Sequence, residues 1–406
     1  MSAAFLFAAE MFARPYAAQK DPAAVAGQLI EVRRKYLAES AGSFTLEKPW
    51  YRFENTLTVH PFFGYVYNPK AKGVNSFGFR SKYDFGLCGE RYCLKNTGVE
   101  NPLVIGIFGG SFAEAAGRHG DYLEEKLRVL FPGRTPVVIN FGVGGHAMPQ
   151  AYSIFSYFTD LLDAAVFLDG LNELWNSVEN NKSGEPPEFA KAVHYKYKLS
   201  LMELTPENFR LTNEILRIKR LMLGLTGLSF VPAVERSFLI HYLWQAAHAF
   251  AERTTEKKML QIAESYARGS PFFDAADEEL LELAAAKWEK YHRRIHLLGK
   301  EEKILTVHLI QPSPYAAGSK RLTEIEEKRL RHSYPILDYV AKGYPKLLSR
   351  LPALRQDGAV AEDLIYLYQD LEEAVWKDSA HTNQKGTYLI LDRIAEILGE
   401  HSAALN

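Results

Sequence analysis

The stretch "KDSAHTNQKG", residues 377–386, sets Asp378 three positions before His381 and ends on a glycine where a helical pattern begins. A histidine and a carboxylate in one loop can act as a general base and its orienting partner. The imidazole takes a proton while the carboxylate holds the other ring nitrogen. Asp, Ser, Thr and Asn also build the ordinary turns that precede helices, so by itself this loop reads first as a helix entry. The base reading needs a nucleophile from elsewhere in the chain.

"GGSFAEAAG", residues 109–117, offers one. Gly109 and Gly110 let the backbone turn sharply and keep the approach clear, which leaves the Ser111 hydroxyl exposed and its N–H near a helix start. The plainer reading is a serine N-cap. The pattern G-x-S-x-G of α/β-hydrolases fails because residue 113 is alanine. In "FGVGGHAMPQ", Gly142, Gly144 and Gly145 supply bare backbone N–H groups of the kind an oxyanion requires, or simply make a loop. In "DGLNELWN", Asn172 supplies an amide donor, or a turn or cap.

These segments share a position. Each follows directly on a short apolar run, "LVIGIF", "PVVIN" or "AAVFL", and the runs alternate with helical spacing in "DYLEEKLRVLF" and "MPQAYSIFSYFTDLLD". Strands that have lost their polar alternation, separated by helices, belong to a parallel sheet covered on both faces. Such sheets bind ligands beyond the carboxyl ends of their strands. Serine, backbone donors and amide therefore converge on one edge, an acyl-transfer site lacking only a base, which the 377–386 loop can provide. In that context the 377–386 loop reads as the end of a triad.

The remaining organisation follows from composition and pattern. A chain of 406 residues, 47% hydrophobic and 24% charged, can bury one large core or two. Lys plus Arg is 48 and Asp plus Glu 49, so the net charge of -1 gives no general pull toward nucleic acid or anionic membrane, although a local patch is left open. The opening run "MSAAFLFAAEMFARPYAAQKD" breaks at Glu10, short of the roughly 20 residues a bilayer span needs, and has no basic start. It reads as an amphipathic helix, or as the remnant of an export or anchor segment that begins upstream. Cys88 and Cys93 are spaced so that a small disulfide loop is permitted and not demanded.

Residues 1–100 read as an N-terminal arm, irregular and pinned by Phe62, Tyr65, Tyr67, Phe77 and Phe79. Residues 101–406 read as the main domain, with a mainly helical insertion at about 176–300. There, Leu281, Ala284, Trp288, Tyr291 and Ile295 draw one apolar stripe that Asp274 or Asp277 can cap. "KILTVHLIQP" resumes the sheet, "RLTEIEEKRLRHSYPILDYVAKGY" is a helix pair or broken helix, "LIYLYQD" a short strand, and "GTYLILDRIAEILG" a closing helix.

The ordered set resembles the SGNH or GDSL hydrolase superfamily over about 101–175 and 300–400. "GGSF" is similar to its first block, "NFGVGG" to its second, "GLNE" at 170–173 to its third, and "DSAH" at 378–381 to its fifth. The resemblance implies Ser111 as nucleophile and first oxyanion donor, Gly145 and Asn172 completing the hole, and His381 with Asp378 as the base pair. It implies an α/β fold, a three-layer α/β/α sandwich with a mostly parallel central sheet, flavodoxin-like in arrangement. Gly110 and Glu173 depart from the aspartates usual at those positions. The arm segments "HPFFGYVYNP" and "NSFGFRS" resemble those of bacterial, often envelope-associated members, which favours a periplasmic or envelope location and leaves peripheral or upstream-anchored membrane association open.

The expectation is a serine esterase that needs no metal or organic cofactor and acts on an ester-bearing small molecule or an acylated glycan, carbohydrate O-deacetylation included. The alternatives are O-acyl transfer to a sugar and a non-catalytic glycan-binding or scaffold protein. His119, His146 and His381 sit in separate motifs without zinc spacing. Asn75, Arg80 and Gln311 are weaker candidates for substrate contact.

Overall fold

A computed structural model describes residues 30–34, 36–37, 57–95, 98–189, 191, 205–232, 234–235, 237–264, 271–330 and 336–405. The apolar run at the start of the chain lies outside them. The chain divides into two units, Met1–Asn55 with Lys196–Tyr266, and Thr56–Tyr195 with Ala267–Asn406. This differs from the arm and insertion boundaries read from the sequence. Only the middle of the expected insertion belongs to the first unit, while residues 56–100 belong with the sheet.

The first unit contains two long helices, Pro206–Leu228 and Phe238–Glu264. Thr205 caps the first, its hydroxyl accepting from the Asn208 N–H at 3.1 Å, and Pro206 follows where a missing N–H costs nothing. Trp244 donates to Thr226 Oγ1 at 2.8 Å while Lys258 pairs with Glu214, so the helices run antiparallel. Met222, Trp244 and Ala251 form their small core.

The second unit is built on a sheet of five parallel strands, β5 (Pro102–Gly109), β6 (Thr135–Asn140), β7 (Ala164–Asp169), β8 (Leu305–Ile310) and β9 (Val360–Asp363), in the order β6-β5-β7-β8-β9. One row of register crosses it as Asn140, Ile107, Val166, Val307 and Val360. Before the sheet come two hairpins, β1 (Leu57–His60) with β2 (Gly64–Tyr67) and β3 (Asp84–Cys88) with β4 (Arg91–Lys95). The expected irregular arm is therefore partly ordered as strands, and Cys88 and Cys93 are joined as a disulfide within the second hairpin.

Residues alternate between the two sheet faces, which makes the third dimension of the fold. Leu103, Ile105 and Ile107 enter a core with α1 (Ser111–Gly117), α2 (Gly120–Leu130) and the closing helix α8 (Gln384–Glu400), through Phe112, Ala116, Leu123, Leu127, Ile390 and Ile394. On the opposite face Phe108 stacks on Phe167 and meets Phe155 of α3 (Gln150–Tyr157) edge-on. Phe167 stacks in turn on His308. α4 (Leu171–Lys182) and α5 (Asp277–Glu302) cover that side, and the expected stripe is observed, with Leu281, Ala284, Trp288 and Ile295 buried and Tyr291 half-buried. The result is a three-layer α/β/α sandwich.

Two local expectations change and one is met. α5 starts at Asp277 with Ala276 as its N-cap, and Glu279 reaches back to the Ala276 N–H at 3.3 Å, so no aspartate side chain caps it. "LIYLYQD" is a 3₁₀ turn over Ile365–Tyr368, and the edge strand lies just before it, because Tyr368 is buried with its hydroxyl on the Gly386 carbonyl at 2.8 Å. The helix pair is present as α6 (Glu324–Leu330) and α7 (Ile336–Leu348), with the residues between them outside those described.

Candidate active site

Ser111 stands two residues beyond the last residue of β5, at the first position of α1. The N-cap is Gly110, so the Ser111 hydroxyl is not spent on capping the helix, and the plainer reading of this serine does not hold. Gly109 adopts φ 141°, and a Cβ there would strike the Leu168 carbonyl of the neighbouring strand. Only glycine serves there, since the conformation disfavours side chains and the strand leaves no room.

Gly110 is required for a different reason. Its φ of -85° and ψ of -153° suit any residue, but a Cβ would fall on the Asn172 amide nitrogen, 3.1 Å from Asn172 Cγ and 2.9 Å from the His146 carbonyl oxygen. Asn172 Nδ2 donates to that carbonyl at 2.7 Å. The amide thus lies directly against the turn that carries Ser111, in space an aspartate at position 110 would fill.

The loop after β6 is tied down from four sides. Asn140 Oδ1 accepts from the Gly142 N–H at 3.0 Å and its amide donates to the Glu114 carbonyl at 3.0 Å, joining the strand end to α1. Asn176 donates to the Gly145 carbonyl at 2.9 Å, and Gly145 takes φ 81°. Tyr65 donates to the Gly144 carbonyl at 2.8 Å, and His146 Nε2 donates to the Tyr65 carbonyl at 2.9 Å. Burial pushes the His146 imidazole down to about 4, which keeps it neutral and its proton on Nε2 at ordinary pH.

Tyr67 donates to Glu114 Oε2 at 2.5 Å, and burial, with the Glu114 charge beside it, pushes this phenol up. Arg80 lies over the Tyr67 ring at 4.4 Å and 3.4 Å from Glu114, and Arg118 pairs with the same carboxylate. Asn75 accepts from the N–H groups of Phe77 and Phe79 at 3.2 and 2.9 Å and is buried. Gln311 is buried at the end of β8, its carbonyl accepting from Tyr344 at 3.2 Å. The Asn75 side chain is therefore spent in its own turn, Arg80 is paired with Glu114 while remaining partly exposed, and Gln311 is buried beyond the carboxyl end of β8. Tyr65, Tyr67 and Glu114, which hold the site, give no sequence signal beyond aromatic packing and a helical charge.

His381 Nε2 lies 2.8 Å from Ser111 Oγ, across 270 residues of chain. Its Nδ1 lies 2.9 and 3.1 Å from the two oxygens of Asp378. Asp378 Oδ1 also accepts from the N–H groups of Ala380 and His381, both at 2.9 Å, so one carboxylate shapes the turn and orients the ring. Partial desolvation alone would raise the Asp378 pKa, but the imidazole and these N–H groups outweigh it and hold the carboxyl below its ordinary range. The helix entry is capped separately by Asn383, whose Oδ1 accepts from the Gly386 N–H at 3.0 Å. The loop is thus both a helix entry and a base dyad, carried by different residues.

Behind Asn172 lies a buried acidic pair. Glu173 accepts from the Met148 N–H at 2.9 Å and the Gly170 N–H at 2.8 Å, linking the loop after β6 to the start of α4. Asp169 accepts from Trp288 Nε1 at 2.6 Å. Burial raises both carboxyls above their ordinary range, and for Glu173 the Asp169 charge adds to it. His292 and His308 continue the network, Nδ1 to Nδ1 at 2.6 Å, both held neutral by burial.

Ser111, Asn172, Asp378 and His381 are thus brought to one edge of the sheet, with the Gly145 loop fixed against Asn176 and the 110–111 turn. Such an arrangement can deprotonate a hydroxyl and hold a developing oxyanion. Among the described residues no group of three His, Cys, Asp or Glu could hold a metal ion. No protein-family model matches this chain, and no curated protein matches it.

Proposed function

We propose that the chain is a serine hydrolase of the SGNH or GDSL type acting on carboxylic esters. The observation that carries this reading is the continuous chain from Ser111 Oγ through both nitrogens of His381 to Asp378, at 2.8 and 2.9 Å. The imidazole takes the Ser111 proton as Oγ attacks the ester carbonyl carbon, and Asp378 stabilises the imidazolium without itself becoming protonated. The carbonyl oxygen becomes an oxyanion, held by the N–H groups of Ser111 and Gly145 and by the Asn172 amide. Collapse of the tetrahedral intermediate breaks the C–O bond to the alcohol, which leaves with the proton from His381. A water then gives a proton to His381, attacks the acyl-serine, and releases the acid while the proton returns to Ser111.

Water as the acceptor is supported by the exposure of the base, the side chains of Asp378 and His381 being 56% and 28% accessible. A transferase gains from excluding water at this step. O-acylated carbohydrate is the substrate class proposed, on the resemblance of the ordered motifs. Pre-steady-state kinetics on p-nitrophenyl acetate test the covalent step. A burst of one p-nitrophenol per chain, lost in Ser111→Ala, is the expected result. Turnover by Ser111→Ala at the wild-type rate would refute the mechanism, and acetyl transfer to an added sugar faster than hydrolysis would refute water as the acceptor.

A further inference from the structure

The loop that carries Asp378 and His381 stands on a buried carboxylate that none of the steps above uses. Glu326 of α6 has no solvent exposure. Its Oε1 accepts from the consecutive N–H groups of Val375 and Trp376 at 2.8 and 2.9 Å. Its Oε2 accepts from Lys320 Nζ, the Thr323 N–H and the Thr323 hydroxyl, each at 2.9 Å. The Lys320 side chain is equally inaccessible. Burial by itself would raise the carboxyl pKa, but these donors outweigh it and hold Glu326 down at about 2, so the anchor is charged throughout the range in which an esterase works.

The anchored residues are the base of a closed loop. Trp376 bridges Thr382, the Lys377 N–H donates to the His381 carbonyl at 2.9 Å, and the Asn383 N–H donates to the Val375 carbonyl at 2.7 Å. Arg329, on the same short helix as Glu326, donates to the Trp376 carbonyl at 3.0 Å. The first strand of this loop base is therefore held by α6 and the second is held through its pairing with the first, and Asp378 follows the second anchored residue by two. The tip is exposed at Asp378, whose side chain is 56% accessible, so the base of the loop carries much of the task of setting where the imidazole stands. A displacement of about 1 Å between a base and its nucleophile can cost roughly 100-fold in rate.

We propose that Glu326, neutralised by Lys320, is a positioning residue that holds His381 in register with Ser111. The proposal rests on the reading of His381 as the base. Glu326→Gln keeps the side-chain volume but replaces one oxygen by an NH2 group. Whichever way the amide turns, it faces either the Val375 and Trp376 N–H groups or the Lys320 and Thr323 donors.

The test is kcat and KM on p-nitrophenyl acetate, with the rate of Ser111 phosphonylation, for Glu326→Gln, Glu326→Asp, His381→Ala and the double variant Glu326→Gln/His381→Ala. All are measured well below each variant's melting temperature. Glu326→Gln is expected to lower kcat and phosphonylation together by about 10- to 100-fold with KM nearly unchanged. Glu326→Asp, which keeps the charge at shorter reach, is expected to fall between it and wild type, and it carries the test if the glutamine variant does not fold. In the His381→Ala background the added change should cost nothing further, because its effect passes through the imidazole. Wild-type kcat in the folded glutamine or aspartate variant, or an equal loss with and without His381, would overturn the proposal while leaving the triad intact. Near-wild-type turnover by His381→Ala would overturn the base assignment, and this proposal with it.

Discussion

The contact between Gly110 and Asn172 allows a substitution in the residue that precedes the nucleophile to be predicted in detail. Alanine at 110 is compatible with the backbone, so the cost falls on what the new methyl displaces. The methyl would occupy the Asn172 amide nitrogen's place and come within 3.1 Å of Cγ, tighter than ordinary contact, so the amide must swing by about an ångström and leave the His146 carbonyl. Losing one oxyanion donor costs roughly 10²- to 10³-fold in kcat, about 2.7–4 kcal/mol of transition-state stabilisation. Stability should fall as well. The lost hydrogen bond costs about 1 kcal/mol and replacing glycine by alanine returns about 0.4–1 kcal/mol through the unfolded chain, but the His146 backbone carbonyl, 2.9 Å from the new methyl, must also shift. Gly110→Ala should therefore lower kcat by about 10²- to 10³-fold with KM close to wild type and a lowered melting temperature. Asn172→Ala alone should show the same loss. Together the two should be scarcely worse than either, since removing the amide removes the collision and leaves only the His146 carbonyl, 2.9 Å from the new methyl, to yield slightly. Wild-type kcat in folded Gly110→Ala, or multiplication of the two single losses, would refute the placement of Asn172.

His381→Ala should nearly abolish turnover, and Asp378→Asn, which keeps the turn but favours the wrong tautomer, should cost about 10⁴-fold in kcat; a helix-entry role alone would instead show as about 1 kcal/mol in denaturant melts with the rate intact. Because burial raises the Glu173 and Asp169 carboxyls to about 8 and about 7, the folded chain binds more protons than the unfolded one above the ordinary carboxylate range, and stability should fall as pH rises above about 4.5, where these carboxyls ionise in the unfolded chain, and level off above about 8, where the folded pair has ionised too. Urea melts from pH 5 to 8.5 should show this slope, flattened in Glu173→Gln; a slope unchanged by that substitution would contradict the assignment. Tyr65→Phe removes the hydrogen bond to the Gly144 carbonyl and should cost about 1 kcal/mol of stability with a several-fold loss in kcat, read by thermal melts and steady-state assays.

What could be read from the sequence and what could not divide along the range of the interactions. Ser111, Asn172 and the Asp378–His381 pair are announced by short motifs because strand ends and turns are local, and an apolar run followed by glycine and a polar residue marks the crevice edge. Glu326 was invisible for the opposite reason. In "RLTEIEEKRLR" it looks like one more charge on a solvated helix, and only Val375 and Trp376, some 50 residues later, reveal that it is buried. "LIYLYQD" has the composition of a strand, yet the buried tyrosine hydroxyl on Gly386 fixes it as a tight turn. Asn75 has a side chain suited to contacting a ligand, and its own turn takes the side-chain oxygen. The unit boundaries were displaced because helical periodicity alone does not say that α5 packs on the sheet while the helices before it pack on each other.

The most direct test of the account is the site of covalent modification. The purified chain should be treated with a fluorophosphonate and the adduct mapped by mass spectrometry, with His381→Ala as a parallel sample. A single phosphonyl group on Ser111, formed at least about 100-fold more slowly without His381, is the result the geometry predicts. An esterase-active chain that carries the label on another residue, or none at all, would contradict it.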